Sequence, residues 1–164
     1  MQTELIFSKS QQLADYLPLI AGLSAELGSE FSRSMRNWCK LEPRPYPLLD
    51  WDVFLVRHNR CIVGICSHYR QPDDSLQRYW IGWIGVLKEY RRRGFGSVML
   101  RAIEARLQHR FDAQEAWVYT DRPAAVAFYR ANGYVDAGVF DDLHLIQAAA
   151  RAQNPVLTKK LIHP

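Results

Sequence analysis

Arg91-Arg92-Arg93-Gly94-Phe95-Gly96-Ser97 is the stretch whose residue types and spacing could do chemistry. An apolar run, Trp80 to Leu87, precedes it and reads as a buried strand. A helical pattern follows, with Met99, Ile103 and Leu107 at spacing four and Leu100 beside Ile103. The first amides of a helix have no partner inside it, and the helix dipole adds partial positive charge there. Gly94 and Gly96 carry no β-carbon, so an anion can come close to the main chain. Arg91, Arg92 and Arg93 add fixed charge beside it. A phosphate or pyrophosphate suits such a place, and charge-assisted hydrogen bonds of roughly 1.5–3 kcal/mol each would hold it.

Two common phosphate loops are excluded. No G-x-x-x-x-G-K-[ST] is present, and Met99 stands where the third glycine of G-x-G-x-x-G would fall. Arg91 to Gly96 instead resembles the acetyl-CoA pyrophosphate loop of the GCN5-related N-acetyltransferase (GNAT) superfamily, [QR]-x-x-G-x-[GA]. Lys88 replaces a proline common two residues after Val86. A second block, Ala124 to Tyr134, resembles A-[IV]-x-[FL]-Y-x-x-x-G-[FY], with Ala125, Val126, Phe128, Tyr129, Gly133 and Tyr134 matching. With the strands around them, the resemblance runs from about Val53 to Tyr134, and Val156 to Leu161 is similar to the family's closing strand.

The resemblance implies an acetyl-CoA-dependent N-acetyltransferase, with direct transfer to a primary amine in a ternary complex and acetyl-CoA as co-substrate. Tyr129 is then the residue that protonates the departing CoA thiolate. The chemistry is sound, since a phenol of pKa about 10 can protonate a thiolate as charge develops on it. Main-chain groups of Ile84, Gly85 and Val86 would pair with the pantetheine arm as an added strand does. Gly85 suits a bulge there, and the amide near Val86 would polarise the acetyl carbonyl. The arm's pyrophosphate falls to Arg91, Arg92, Arg93, Gly94, Phe95, Gly96 and Ser97.

A general base is harder to find. An alkylamine of pKa near 10.4 is unprotonated in only about one molecule in 10³ at pH 7. Relatives use a glutamate at positions that correspond to Gly82 and Trp117 here, and an asparagine where this chain has Arg122. Asp121, His68, Asp141 and Asp142 are the substitutes, reached through water. Asp121 also reads as a helix cap. The acceptor pocket would draw on Trp38, Tyr46, Trp51, Glu26, Glu30, Asp141 and Asp142. Two other readings stay open: a CoA-binding module without turnover, and a nucleic-acid-binding domain using Arg91 to Arg93.

These residues need positioning elements. Glu4 to Ser8 reads as a strand. A helix follows to about Leu27, ended by Gly28, and then a shorter one over Ser29 to Lys40. Pro43, Pro45 and Pro47 make a loop. Val53–Val56 and Cys61–His68 form a hairpin around His58-Asn59-Arg60, apolar on both faces and therefore central. Arg78 to Leu87 and Ala116 to Thr120 are strands joined by a crossover helix, hence parallel. Ligands of such sheets bind beyond the strands' carboxyl ends. A short helix from Ala124 to Ala131, a strand from Tyr134 to Phe140, a helical turn over Leu143 to Arg151 and a strand from Val156 to Ile162 complete a mixed α/β fold. It has six to seven strands and about four helices.

The 164 residues suit one domain spanning 1–164, with 48% apolar and 23% charged residues and a net charge of +4. The charge favours anionic ligands, and the only tight basic cluster is the loop itself. Three cysteines, Cys39, Cys61 and Cys66, lack C-x-x-C spacing, which argues against a disulfide framework or a metal site and for a reducing, cytoplasmic setting. No signal peptide or membrane-spanning run is evident. The expected partners are an amine acceptor and a second copy in a homodimer, with neither nucleic acid nor membrane.

Overall fold

The computed structural model describes residues 5–10, 12–39, 48–120, 122–138 and 155–161. Among the described residues seven strands form one mixed sheet: β1 (Ile6–Ser8), β2 (Leu49–His58), β3 (Cys61–Arg70), β4 (Arg78–Val86), β5 (Glu115–Tyr119), β6 (Val135–Asp136) and β7 (Val156–Lys160). Their order is β1-β2-β3-β4-β5-β7-β6. Among the described residues only β4 and β5 pair in parallel, and α2 (Phe95–Phe111) carries the chain between them. The other α-helices among the described residues are α1 (Leu17–Trp38) and α3 (Pro123–Ala131).

The β2–β3 hairpin turns at Asn59 and Arg60, both in the left-handed region, as a two-residue hairpin turn requires. Strand β2 is buried on both faces because its side chains alternate. Val53 and Leu55 face α1, while Phe54 and Val56 face α2 and α3. On α2, Met99, Leu100, Ile103 and Leu107 are buried, each contributing roughly 1.5–3 kcal/mol by leaving water. On α1, Gly28 has φ 74° and ψ −176° and splits the helix into two arms, as its place between the two predicted helices implies. Tyr16, Leu19 and Leu23 lie on one side of the break and Phe31, Met35 and Trp38 on the other, in one apolar cluster with Val53, Leu55 and Ile65.

Two features of β4 shape the site. Its ladder with β5 covers only Arg78 to Trp80, paired with Glu115 to Trp117. Beyond Trp80 the two strands part. The pairing with β3 is also irregular: Cys66 faces Ile84, but His68 faces Ile81. The extra residue of that bulge lies at Gly82-Trp83. The expected bulge at Gly85 is therefore corrected, since Gly85 is in regular register with Ile65. Gly85 is a glycine for another reason: a β-carbon there would lie 2.8 Å from Leu23 Cδ1 and 3.3 Å from Leu27 Cδ1 of α1.

The strand expected over Tyr134 to Phe140 is Val135–Asp136 among the described residues. The Pro43–Pro47 loop with Tyr46, Asp121, the helical turn over Leu143 to Arg151 and the whole segment Asp141 to Asn154 lie outside the described residues, as does the side chain of Glu30.

Candidate active site

The site is built where β4 ends. After Val86 the chain makes one 3-10 turn, Lys88–Tyr90, crosses Arg91 to Gly94 and starts α2 at Phe95. Lys88, which takes a proline's usual place, sits in that turn. Gly94 is the N-cap of α2 in the left-handed region, at φ 79°, where a β-carbon would be strained. Among the described residues no side chain caps this helix end, so the amides of Phe95, Gly96 and Ser97 form its open first turn. Phe95 itself is a buried anchor, with its ring 5.2 Å from His58 and 6.4 Å from Tyr90. Gly96 keeps space for α3: a β-carbon would stand 3.3 Å from Phe128 Cε2.

The three arginines do different things. Arg92 is exposed. Arg93 lies over the Tyr90 ring, 5.7 Å from its centroid. Arg91 turns inward: its Nε donates to the Val86 carbonyl at 2.8 Å, and its guanidinium pairs with Glu26 of α1. Glu26, expected among the acceptor-binding carboxylates, is thus committed to the loop.

Main-chain directions along β4 follow from its register. Leu87 N–H donates to Val63 O at 2.9 Å, which makes Gly64–Val86 a non-hydrogen-bonded pair and Ile65–Gly85 a hydrogen-bonded one. The polar groups of Gly85 therefore point at β3. Those of Ile84 and Val86 point the other way, into the gap left by β5. Of the three residues expected to meet a pantetheine arm, Ile84 and Val86 face the gap and Gly85 does not.

Tyr129 is buried in α3 with its ring against Phe128 at 5.2 Å and Tyr134 at 5.3 Å. Burial raises the phenol's pKa well above its usual value, so the hydroxyl keeps its proton. Among the described residues it has no hydrogen-bond partner. Tyr134 is fixed in turn: its hydroxyl donates to Glu104 Oε1 at 3.0 Å, and Lys159 Nζ donates to Glu104 Oε2 at 2.8 Å. This Glu104–Tyr134–Lys159 group behind Tyr129 has no short-range sequence signal, since α2 and β7 supply its charged members.

The proposed bases fare differently. His68 is fully buried under the far end of α2, its ring 5.4 Å from Phe111. Arg106 Nε donates to its Nε2 at 3.4 Å, and Asp52 lies 3.6 Å away. Desolvation outweighs the pull of Asp52 and lowers its pKa to about 4. Phe95, where the loop enters α2, is a whole helix away from Phe111. His68 is not brought to the site. Trp117 is buried, with Nε1 donating to Glu115 at 2.9 Å and the Arg78 guanidinium 4.2 Å over its ring. Trp38 and Trp51 do come together, edge to face at 5.6 Å. Asp121, Asp141 and Asp142 lie outside the described residues.

Residues 24–134 match the sequence profile of the acetyltransferase (GNAT) family. No curated protein matches the chain by sequence. Solved structures share its fold at low identity. N-acetylglutamate synthase of Neisseria gonorrhoeae, complexed with coenzyme A and N-acetyl-glutamate, has a TM-score of 0.72 at 12% identity; 99% of this chain is covered but only 36% of that one. A GNAT family acetyltransferase of Elizabethkingia anophelis with acetyl-CoA bound scores 0.64 at 13% identity, over 96% of this chain and 97% of that one. The N-acetyltransferase PseH of Campylobacter jejuni, in complex with acetyl coenzyme A, scores 0.63 at 14% identity, over 97% and 100%.

Proposed function

The chain belongs to the acetyltransferase (GNAT) family, and we propose that it moves an acetyl group from acetyl-CoA directly to a primary amine. One observation carries this reading: the Ile84 and Val86 main-chain groups face the gap between β4 and β5, and the chain runs from Val86 through one 3-10 turn to the start of α2. A pantetheine arm laid in that gap would find strand-like partners. Its diphosphate would then reach the amides of Gly94 to Ser97 at the positive end of the helix dipole. Arg92 and Arg93 add charge there, while Arg91 holds the carbonyl of Val86.

In the reaction, the amine nitrogen attacks the thioester carbon. The oxygen's developing charge is met by the gap-facing amides of β4, those of Ile84 and Val86. The C–N bond forms, the C–S bond breaks, and Tyr129 gives its proton to the departing thiolate. The phenol is protonated before the thiolate appears; burial, which raises its pKa, weakens it as an acid, and the thiolate's own charge in the same dry site is what draws the proton. The amine's proton leaves through water, since Gly82 and Trp117 offer no carboxylate and His68 is sealed in the core. Coenzyme A supplies the activated acyl group; the amine acceptor is a small molecule or a peptide or protein amine.

The lack of a carboxylate at Gly82 and Trp117 favours a second reading, a CoA-binding module without turnover. One experiment separates the two: free-thiol release from acetyl-CoA across a panel of amines, with Tyr129→Phe in parallel. Amine-dependent release that falls in Tyr129→Phe supports the enzyme. Acetyl-CoA binding without release for any amine supports the module.

A further inference from the structure

Ser67 of β3 reaches across to the bulge in β4. Its hydroxyl accepts a hydrogen bond from the Trp83 amide at 2.7 Å, and Ser67 is buried, 1% exposed. The same oxygen occupies the space beside Gly82: a β-carbon on Gly82 would lie 2.4 Å from Ser67 Oγ, but 3.6 Å from Ser67 Cβ and from Tyr69 Cδ1. A β-carbon at position 82 therefore displaces the hydroxyl and meets the other described atoms at ordinary contact distance. A serine can turn its hydroxyl away cheaply, but doing so releases the Trp83 amide.

The place of this contact matters. The β4–β5 ladder ends at Trp80–Trp117, and Gly82-Trp83 are the next residues but one. A bulge bends its strand and increases the local twist. The extra residue also resets which main-chain groups of β4 face β3 and which face the gap. We infer that Ser67 and Gly82 act as one latch, in which the serine hydroxyl fastens the bulge and thereby aims the Ile84 and Val86 main-chain groups into the cofactor slot. Ser67 is a positioning residue, and its role rests on the acetyl-CoA site proposed above. In this chain the space beside position 82 holds a structural hydroxyl from the neighbouring strand, where a base could otherwise stand.

The latch makes a non-additive prediction. Ser67→Ala leaves the half-buried Trp83 amide without its acceptor, and Gly82→Ala drives the hydroxyl off it, so each should weaken acetyl-CoA binding about tenfold. The double variant should be no worse than either single one, because the alanine at 82 meets no hydroxyl. Ser67→Thr keeps the hydroxyl and should bind within about twofold of the unaltered protein. Titration calorimetry with acetyl-CoA reads all four, alongside thermal melts that confirm folding. Unchanged binding in Ser67→Ala, or losses that multiply in the double variant, would overturn the latch. Gly82→Ala, which retains the serine, carries the test should Ser67→Ala fail to fold; unchanged binding there overturns it equally. An unaltered protein giving no heat with acetyl-CoA would instead sink the proposed function.

Discussion

Arg91 joins three parts of the molecule through one side chain: its Nε donates to the Val86 carbonyl at 2.8 Å while its guanidinium pairs with Glu26 of α1. The end of β4, the loop before α2 and the helix over the other face of the sheet are tied together there. Both charged groups are more than a third exposed, so the ion pair alone contributes little to stability. Its use is orientation. The Val86 carbonyl faces the slot, and a planar fork can hold it and the carboxylate in fixed directions.

Replacing Arg91 should therefore affect cofactor binding more than folding. We expect Arg91→Ala to weaken acetyl-CoA binding by about tenfold with a stability change below about 1 kcal/mol. Arg91→Lys should not restore it, because an ammonium cannot bond in both directions with the same geometry. Calorimetry and chemical denaturation check the two halves. A large stability loss with unchanged affinity would make Arg91 a folding strut only.

Tyr129→Phe removes a hydroxyl that has no partner among the described residues, so stability should hold. Turnover should fall by about 10²–10⁴, with acetyl-CoA affinity nearly unchanged. Steady-state kinetics with an accepted amine measures this. Undiminished turnover would remove the acid role and leave the cofactor site standing.

Acid should destabilise the fold through His68. Buried among Phe54, Tyr79 and Phe111, it is neutral, and burial depresses its pKa to about 4. The unfolded chain protonates this residue near pH 6.5. Between those values the unfolded state binds more protons, so stability rises with pH and is lost as pH falls from about 6.5 toward 4. The expected loss is roughly 2–3 kcal/mol over that window. Asp52, beside Lys9 and Arg106, adds acid sensitivity at lower pH, since its carboxyl pKa is depressed by those cations despite a burial penalty. His68→Gln should flatten the upper part of the profile in urea melts at several pH values. An unchanged slope would contradict the assignment.

Gly94 sits at φ 79°, and a β-carbon there would meet nothing within 4 Å among the described residues. Gly94→Ala should cost about 1–2 kcal/mol from backbone strain, read as a fall of a few degrees in Tm. No steric clash among the described residues adds to it. A neutral substitution would mean the loop relaxes out of the left-handed region.

Local pattern was enough for the elements and for the loop. The apolar runs in β2 and β3, the turn at Asn59-Arg60, the break at Gly28 and the glycines before α2 all act within a few residues of themselves. Contacts that join distant segments were not legible. The bulge was expected at Gly85, yet it sits at Gly82-Trp83, because Ser67 on the adjacent strand supplies the acceptor. Glu26 looked like an acceptor-binding acid until its partner, 65 residues away, was Arg91. His68 looked available at a strand end, and only the packing of Phe111 shows it sealed. Register and side-chain pairing across the sheet carry that information, and one strand's sequence does not contain it.

The most direct test is a crystal structure of this protein with coenzyme A. We expect the diphosphate within hydrogen-bonding distance of the main-chain amides from Gly94 to Ser97, and the pantetheine lying between β4 and β5 against Ile84 and Val86. A diphosphate bound elsewhere, or a gap between β4 and β5 left without the pantetheine, would contradict it.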